Sequence, residues 1–445
     1  MGLLDGLDLN EMFGAALGLA PPWRVTSVEF DQGAGRLDLG LDFPRGARFA
    51  CPEQGCPEAA CAVHDTAEKT WRHLDFFEHQ AFLGARVPRV GCPEHGVHLV
   101  AVPWARPGSG FTLLFEVAML TYAKQMPIAP LAQMAREHDT RIWRVIEHHV
   151  DAARSGMDFS EVDEVGMDET SARRGQDYVS IFMDLRQRRV MFATEGRDAA
   201  TVGAFAADLE AHGGEAKTQI QRVCCDMSPA FIKGVTEHLG CPPEEDADST
   251  GTGEADHAGS QEVPAQGHRP EIVFDRYHVV AKANEAVDKV RRAEAKSRPE
   301  LKASRYAWLK NDANLTAKQR EQLTWLTRPS MRLQTARAAR WRDDFNAFYD
   351  QATPEHAEAY LRRWCYGAKR SRLEPVKEFV RLVESHWDGI VSWQRSRISN
   401  GLLEGTNSLI QAAKRRARGY RSKAKMITII YLIAGKLPLP QIHTI

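Results

Sequence analysis

At 445 residues, with 43% hydrophobic and 26% charged content, the chain is long enough for several buried cores and too apolar for wholesale disorder. No apolar run approaches the roughly 20 residues a membrane span requires. The opening stretch carries Asp5, Asp8 and Glu11 without the basic lead of a secretory signal, so a cytoplasmic protein is expected. The formal net charge of −1 conceals a division: residues 281–425 hold 32 Lys and Arg against 16 Asp and Glu, leaving a balance of −17 elsewhere. A basic half on a neutral protein is the footprint of phosphate-backbone binding, with a solvated helical surface as the plainer alternative.

In chain order, residues 25–50 alternate as strands do, around a turn at Gly33-Ala-Gly35, and Trp71–Val90 continues the pattern. Four of the eight cysteines (Cys51, Cys56, Cys61, Cys92) fall in the first 92 residues. Without an export signal, metal binding explains that clustering better than disulfides. Cys51 and Cys56, with Cys92-x-x-His95 some 36 residues later, can complete a tetrahedral Zn²⁺ site; Cys61 and His98 are alternates, and a finger that folds without metal is the other reading. Cys224, Cys225, Cys241 and Cys365 are expected to be ordinary core residues.

After a Pro- and Gly-rich linker at 103–110, Thr112 stands as an N-cap. Two short helices follow, Ile128–Glu137 and Arg141–Ala153, joined by three residues. That spacing fits a helix-turn-helix or a plain helical hairpin.

Residues 162–238 then read as strands 162–168, 178–184 and 188–194, helix 199–211, strand 219–226 and helix 229–239. This is a meander followed by a crossover to a parallel strand, hence an α/β fold. The polar stretch 242–268 reads as a disordered acidic insertion. A last strand at 271–275 leads into a long helical segment, 279–396, with six of the ten tryptophans, most of them expected in its core.

Asp168 and Asp226 each close an apolar run, and Glu404 opens a helical stretch rich in Lys and Arg. Alone, either aspartate reads as a turn or cap residue. The order of meander, Asp, crossover, Asp, long insertion and helical Glu instead suits a site holding two divalent cations against a phosphodiester.

The motifs Val165-Gly-Met-Asp168-Glu-Thr-Ser171, Cys225-Asp226-Met-Ser-Pro229, Val273-Phe-Asp-Arg-Tyr-His278-Val279 and Asn400-Gly-Leu-Leu-Glu404-Gly-Thr-Asn407 resemble those of bacterial DDE transposases of the ISL3 insertion-sequence family. Thr70–Glu78 and Pro103–Thr112 share the likeness, which runs from about Cys51 to Tyr420. The resemblance implies an RNase H-like catalytic core with Asp168, Asp226 and Glu404 as ligands of Mg²⁺ or Mn²⁺. It also implies strand cleavage at the transposon end, followed by attack of the freed 3′-hydroxyl on target DNA. His278 and Asp275 fall in a recurrent family motif and receive a supporting role, a structural histidine being the alternative. The family's usual Cys-x-x-Cys is absent here, Gln54 standing at its second position.

The expected organisation is therefore a multidomain α/β protein. It comprises a β-rich zinc module over 1–103, a helix-turn-helix over 111–155, a catalytic core over 160–280 and 397–435, and an all-helical insertion over 281–396. Arg141, Arg144 and His148 are expected to face a DNA groove, and Lys414, Arg415, Arg416, Arg418 and Arg421 to hold backbone phosphates near Glu404. Partners are terminal repeats and target DNA, with at least a dimer expected for coordinated cutting of two ends. A non-catalytic DNA-binding regulator and a structure-specific nuclease of the same fold are the alternatives.

Overall fold

The structure, a computed structural model, describes residues 8–173, 175, 177–241, 267–398 and 401–441. The chain divides into two compact units, residues 1–151 with 438–445, and residues 152–437. Most of the expected acidic insertion, 242–266, lies outside the described residues, as does Asn400; His268, at its end, bonds through Nε2 to the Ile220 carbonyl at 2.8 Å.

In the first unit, α1 (Leu9–Ala16) precedes β1 (Arg24–Asp31), β2 (Arg36–Asp42), β3 (Arg48–Phe49), β4 (Cys61–Arg72), β5 (Gln80–Cys92) and β6 (Gly96–Leu99). They form one sheet in the order β1-β2-β5-β4-β3, with β6 on β5; β2 and β5 run parallel and the other pairs antiparallel. Alternation places Leu37, Leu39, Leu41 and Leu83 on the buried face, where Trp104 meets Trp23 and Trp71 edge-on at 4.9 and 5.6 Å. Next come α2 (Leu113–Ala123), α3 (Ile128–Met134) and α4 (Asp139–Ser155), the helical pair beginning and ending within a few residues of the expected limits. Thr112 caps α2, its hydroxyl accepting from the Phe115 N–H. Left-handed Arg136 turns the chain between α3 and α4.

In the second unit, β7 (Glu164–Arg173), β8 (Asp177–Asp184) and β9 (Arg189–Glu195) make the meander, α5 (Ala199–Ala211) crosses over, and β10 (Arg222–Cys225), α6 (Pro229–His238) and β11 (Glu271–Phe274) follow. The sheet order is β11-β10-β7-β8-β9, with β7, β10 and β11 parallel and the meander antiparallel. The helices are α7 (Arg276–Glu294), α8 (Arg305–Leu309), α9 (Ala317–Leu326), α10 (Gln334–Asn346), α11 (Pro354–Ala368), α12 (Glu374–Ser385), α13 (Trp387–Ser396), α14 (Gly401–Arg416) and α15 (Lys423–Ala434).

One apolar cluster runs from the sheet (Val165, Phe182) and α5 (Phe205) into these helices (Phe345, Trp364, Phe379), so the helical segment shares the core of the sheet. Gly389 of α13 is a requirement of that packing: a Cβ there would stand 2.5 Å from the Phe274 ring of β11. Of the six tryptophans, Trp308, Trp364 and Trp393 are buried, Trp341 and Trp387 are partly buried, and Trp325 is exposed.

Two expectations need correction. Asp168 does not end its strand: β7 continues to Arg173, and Asp168 pairs with Ile181 in the middle of the β7–β8 ladder. Cys241 is exposed, unlike buried Cys224, Cys225 and Cys365. Among the described residues, no helix is long and apolar enough to cross a membrane.

Candidate functional site

The parallel strands bring three aspartates level. Gly166, Cys224 and Val273 are register partners across β7, β10 and β11. Two residues further along each strand stand Asp168, Asp226 and Asp275, and the pleat returns to the same face every second residue. On the parallel side, therefore, Asp168 does lie just past the end of the ladder. It is the antiparallel pairing with β8 that carries β7 onward.

Desolvation, with the neighbouring carboxylates, disfavours ionisation of Asp168, Glu404 and Glu169. Asp168 is raised above the usual carboxylate range, first by burial and then by Asp226 and Asp275, against the N–H of Glu169 and the cationic influence of His278. Glu404, in the first turn of α14, is raised by desolvation and by Asp275 and Asp168. Glu169, which residue patterning passed over, is pushed up to about 7 by burial and by Asp226 and Asp168, with Arg197 opposing. Asp226 accepts the Ser228 N–H at 2.9 Å, and Asp275 takes the N-cap position of α7, which carries His278 in its first turn.

Helix α14 is fixed by a stripe of side chains at helical spacing. Asn407 Nδ2 donates to Asp168 Oδ2 at 2.5 Å, Gln411 to Thr170 Oγ1 at 2.8 Å, and Lys414 Nζ to the Ser171 carbonyl at 2.6 Å. All three reach the part of β7 that extends beyond β10, so the helix bearing Glu404 is aligned directly on the strand bearing Asp168. Lys414 thereby uses its ammonium inside the unit, whereas Arg415, Arg416, Arg418 and Arg421 are exposed. Asn407 ends the Asn400–Asn407 motif and Gln411 lies one turn beyond it, but their partner, the extension of β7, has no local signal.

The first unit holds a second constellation. Cys51, Cys56, Cys92 and His95 place one ligand atom each within 4.8 Å of all the others. Cys56 Sγ lies 3.8 Å from Cys92 Sγ, and His95 Nδ1 lies 3.8 and 3.6 Å from Cys51 and Cys92 Sγ. A tetrahedral zinc with bonds of about 2.0–2.3 Å sets ligand–ligand edges of about 3.5–3.8 Å. The missing Cys-x-x-Cys is made good by a longer loop, in which Gly55 at φ +82° turns the chain so that Cys56 arrives. Both alternates stand outside this quartet. Cys61 Sγ donates to the Glu58 carbonyl at 4.0 Å, and His98 faces the His95 carbonyl at 2.6 Å and Glu53 at 3.1 Å.

Burial opposes ionisation of Cys92, but the N–H groups of His95 and Glu94 outweigh it and hold the thiol down at about 6. Cys56 receives the N–H of Glu58, yet desolvation and its cysteine neighbours push it up to about 11. Thiols that obstruct each other's ionisation are the donor set a dication relieves. Among the described residues, no three carboxylates of the second unit stand as close as this quartet, so the acidic cluster is open rather than caged.

On α4, Ile142, Trp143, Val145, Ile146 and Val150 are buried, while Arg141, Arg144 and His148 are exposed at i, i+3 and i+7. Arg141 is engaged locally, 2.5 Å from Glu137 and over the Phe111 ring at 4.3 Å. His148 is lowered by desolvation and by Arg106 and His149, which favours its neutral form.

Residues 165–242 and 261–430 match a DDE transposase family of ISL3 type, residues 100–150 the helix-turn-helix domain of transposase family ISL3, and residues 47–95 the zinc-finger of the IS204/IS1001/IS1096/IS1165 transposases. The chain is 29% identical over 472 residues to the transposase for insertion sequence element IS1557 of Mycobacterium tuberculosis, covering 97% of each. It is 25% identical over 426 residues to the transposase for IS1001 of Bordetella parapertussis, covering 93% of this chain and 96% of that protein. The amino-terminal unit thus combines a zinc finger with a DNA-binding helix-turn-helix, and the second unit is the transposase domain. The chain belongs to the ISL3 family of DDE transposases.

Proposed function

We propose that this transposase cuts DNA at the ends of its insertion sequence and joins them to target DNA at a site where Asp168, Asp226 and Glu404 hold two divalent cations. The carrying observation is the level row of aspartates on β7, β10 and β11, with Glu404 brought beside it by α14 and with Asp168 and Glu404 held above the usual carboxylate range by burial and by one another. Crowded oxygen donors, of which Asp168 and Glu404 resist ionising, fit hard divalent cations, Mg²⁺ or Mn²⁺. The sheet order, a three-strand meander followed by two parallel strands, is consistent with an RNase H-like core.

Bound there, the cations supply an acidified water and charge neutralisation on the attacking and leaving oxygens of a phosphodiester. Asn407 fixes the direction of Asp168, Ser228 that of Asp226, and the α14 stripe that of Glu404. His278 and Asp275 complete the wall of the site as supporting groups. Water would cleave the strand at the transposon end to leave a 3′-hydroxyl and a 5′-phosphate, and that hydroxyl would then attack a target phosphodiester within the same wall, expelling the target strand's 3′-oxygen as a new 3′-hydroxyl. Arg144 and His148 read the terminal repeats, Arg415 and its exposed neighbours hold backbone phosphates, and two ends require at least a dimer. Cys51, Cys56, Cys92 and His95 hold a structural Zn²⁺ that ties the β3–β4 loop to the β5–β6 hairpin.

The test is a joining assay with a plasmid carrying the element's own flanking DNA, a target plasmid and Mg²⁺. Asp168→Asn, Asp226→Asn and Glu404→Gln should each lower joining by three orders of magnitude or more, on the order of 4 kcal/mol, while end binding persists. Undiminished joining by all three would remove the assignment. Cutting without joining by the wild type would favour the nuclease reading.

A further inference from the structure

The segment Thr70–Glu78 has no part in the chemistry above, yet it closes in an exposed tip of the first unit. Phe76 and His79 exchange both backbone hydrogen bonds, at 2.9 and 3.0 Å, and so close a two-residue hairpin turn over Phe77 and Glu78. Phe77 stands at φ +54°, where such turns favour Gly, Asn or Asp and a phenylalanine is strained. Its ring is 86% exposed and meets the Phe76 ring edge-on at 4.8 Å. Packing of the unit gains little from that ring, and the turn would form with less strain around a glycine.

The tip is fastened to the helix-turn-helix. Arg136, the left-handed residue between α3 and α4, donates to the Asp75 carboxylate and, at 2.9 Å, to the Glu78 carbonyl. Asp75 also pairs with buried Arg72, whose Nε stands 4.0 Å from Glu137 in the same α3–α4 turn. Behind them, the Arg72 N–H donates to the Gly110 carbonyl at 2.9 Å and the Thr112 N–H to the Arg72 carbonyl at 3.0 Å, which ties β4 to the start of α2. The hairpin is thus braced on the element that carries α4. Asp75 and Glu78 are matched in number by Arg72 and Arg136, so the tip offers an aromatic ring rather than net charge.

We propose that Phe77 is a wedge that enters the end DNA between two base pairs beside the site faced by α4, unstacking that step and bending the duplex. The proposal rests on α4 facing DNA. A single projecting ring on a braced turn has the form of the apolar side chains that open base steps. Its continuity with a DNA-binding helix-turn-helix favours DNA over a second copy of the chain as the occupant. Because the tip is neutral, its contribution to binding should be independent of salt.

The test measures energy transfer between dyes at the two termini of a short duplex carrying one transposon end, bound by the whole protein. The wild type should bend that duplex by an angle in the range of about 20–90°. Phe77→Gly, which removes both ring and strain, and Phe77→Asn, which keeps a left-handed turn without the ring, should leave it straight. Both variants should bind about tenfold less tightly, melt no lower than the wild type and keep its slope of log affinity on log salt. The proposal is overturned if the wild type leaves bound DNA straight, or if either variant bends it as the wild type does. It is equally overturned if the affinity lost is matched by a lower melting temperature, or if the variants alter self-association without DNA and leave the bend intact. Failure of the wild type to bind end DNA at all would instead overturn the reading of α4.

Discussion

Asp168 takes one side-chain donor, Asn407, and faces the negative charge of Asp226 and Asp275, while His73 in the other unit illustrates the opposite electrostatics. Burial, with a smaller contribution from the Arg72 guanidinium, lowers the His73 imidazole from 6.5 to about 4, and its Nδ1 lies 2.9 Å from the Thr112 hydroxyl. A histidine with a depressed folded pKa must lose its proton to fold. The associated stability is therefore complete above about pH 6.5 and is lost as the pH falls toward 4. Over that window the first unit should lose up to roughly 3 kcal/mol through this group. Thermal unfolding of wild type and His73→Gln checks it: the variant's curve should be flatter with pH over that window. Parallel curves would show that His73 does not carry the dependence.

Helix α14 and strand β7 locate Glu404 together, and neither suffices alone. Lys414 and Gln411 bond to β7, whereas Arg415, one residue on, is exposed. Arg415→Ala should weaken binding to DNA of any sequence and lower the slope of log affinity on log salt by about one, with an unchanged melting temperature. Gln411→Ala should do the reverse, lowering the melting temperature and leaving the salt slope intact.

This element pair also marks the limit of local reading. The meander, the crossover and the parallel strand were legible because alternation and turn residues are local properties. The passage of β7 through Glu169-Thr170-Ser171 was not, since those polar residues are held as strand by β8 and by a helix more than 230 positions away. The proposed triad of Asp168, Asp226 and Glu404 came from motifs and order alone. The level row of Asp168, Asp226 and Asp275 required the register of three strands.

At the scale of the molecule, zinc finger and helix-turn-helix share one unit and the transposase domain occupies the other. The zinc quartet was legible despite the missing Cys-x-x-Cys because loop length is cheap while ligand chemistry is fixed. Removing zinc with a strong chelator should unfold the β-rich module and abolish end binding, while near-ultraviolet signals of the transposase domain persist. Cys56→Ala should reproduce that result and Cys61→Ala should not.

Whether the aspartates work by holding divalent cations is decided by changing a ligand's softness. Asp226→Cys should lose end cleavage and joining in Mg²⁺, a cation that demands oxygen donors, and regain a measurable part in Mn²⁺, which tolerates a thiolate better. Cleavage by Asp226→Cys in Mg²⁺ at the wild-type rate would show that Asp226 holds no cation.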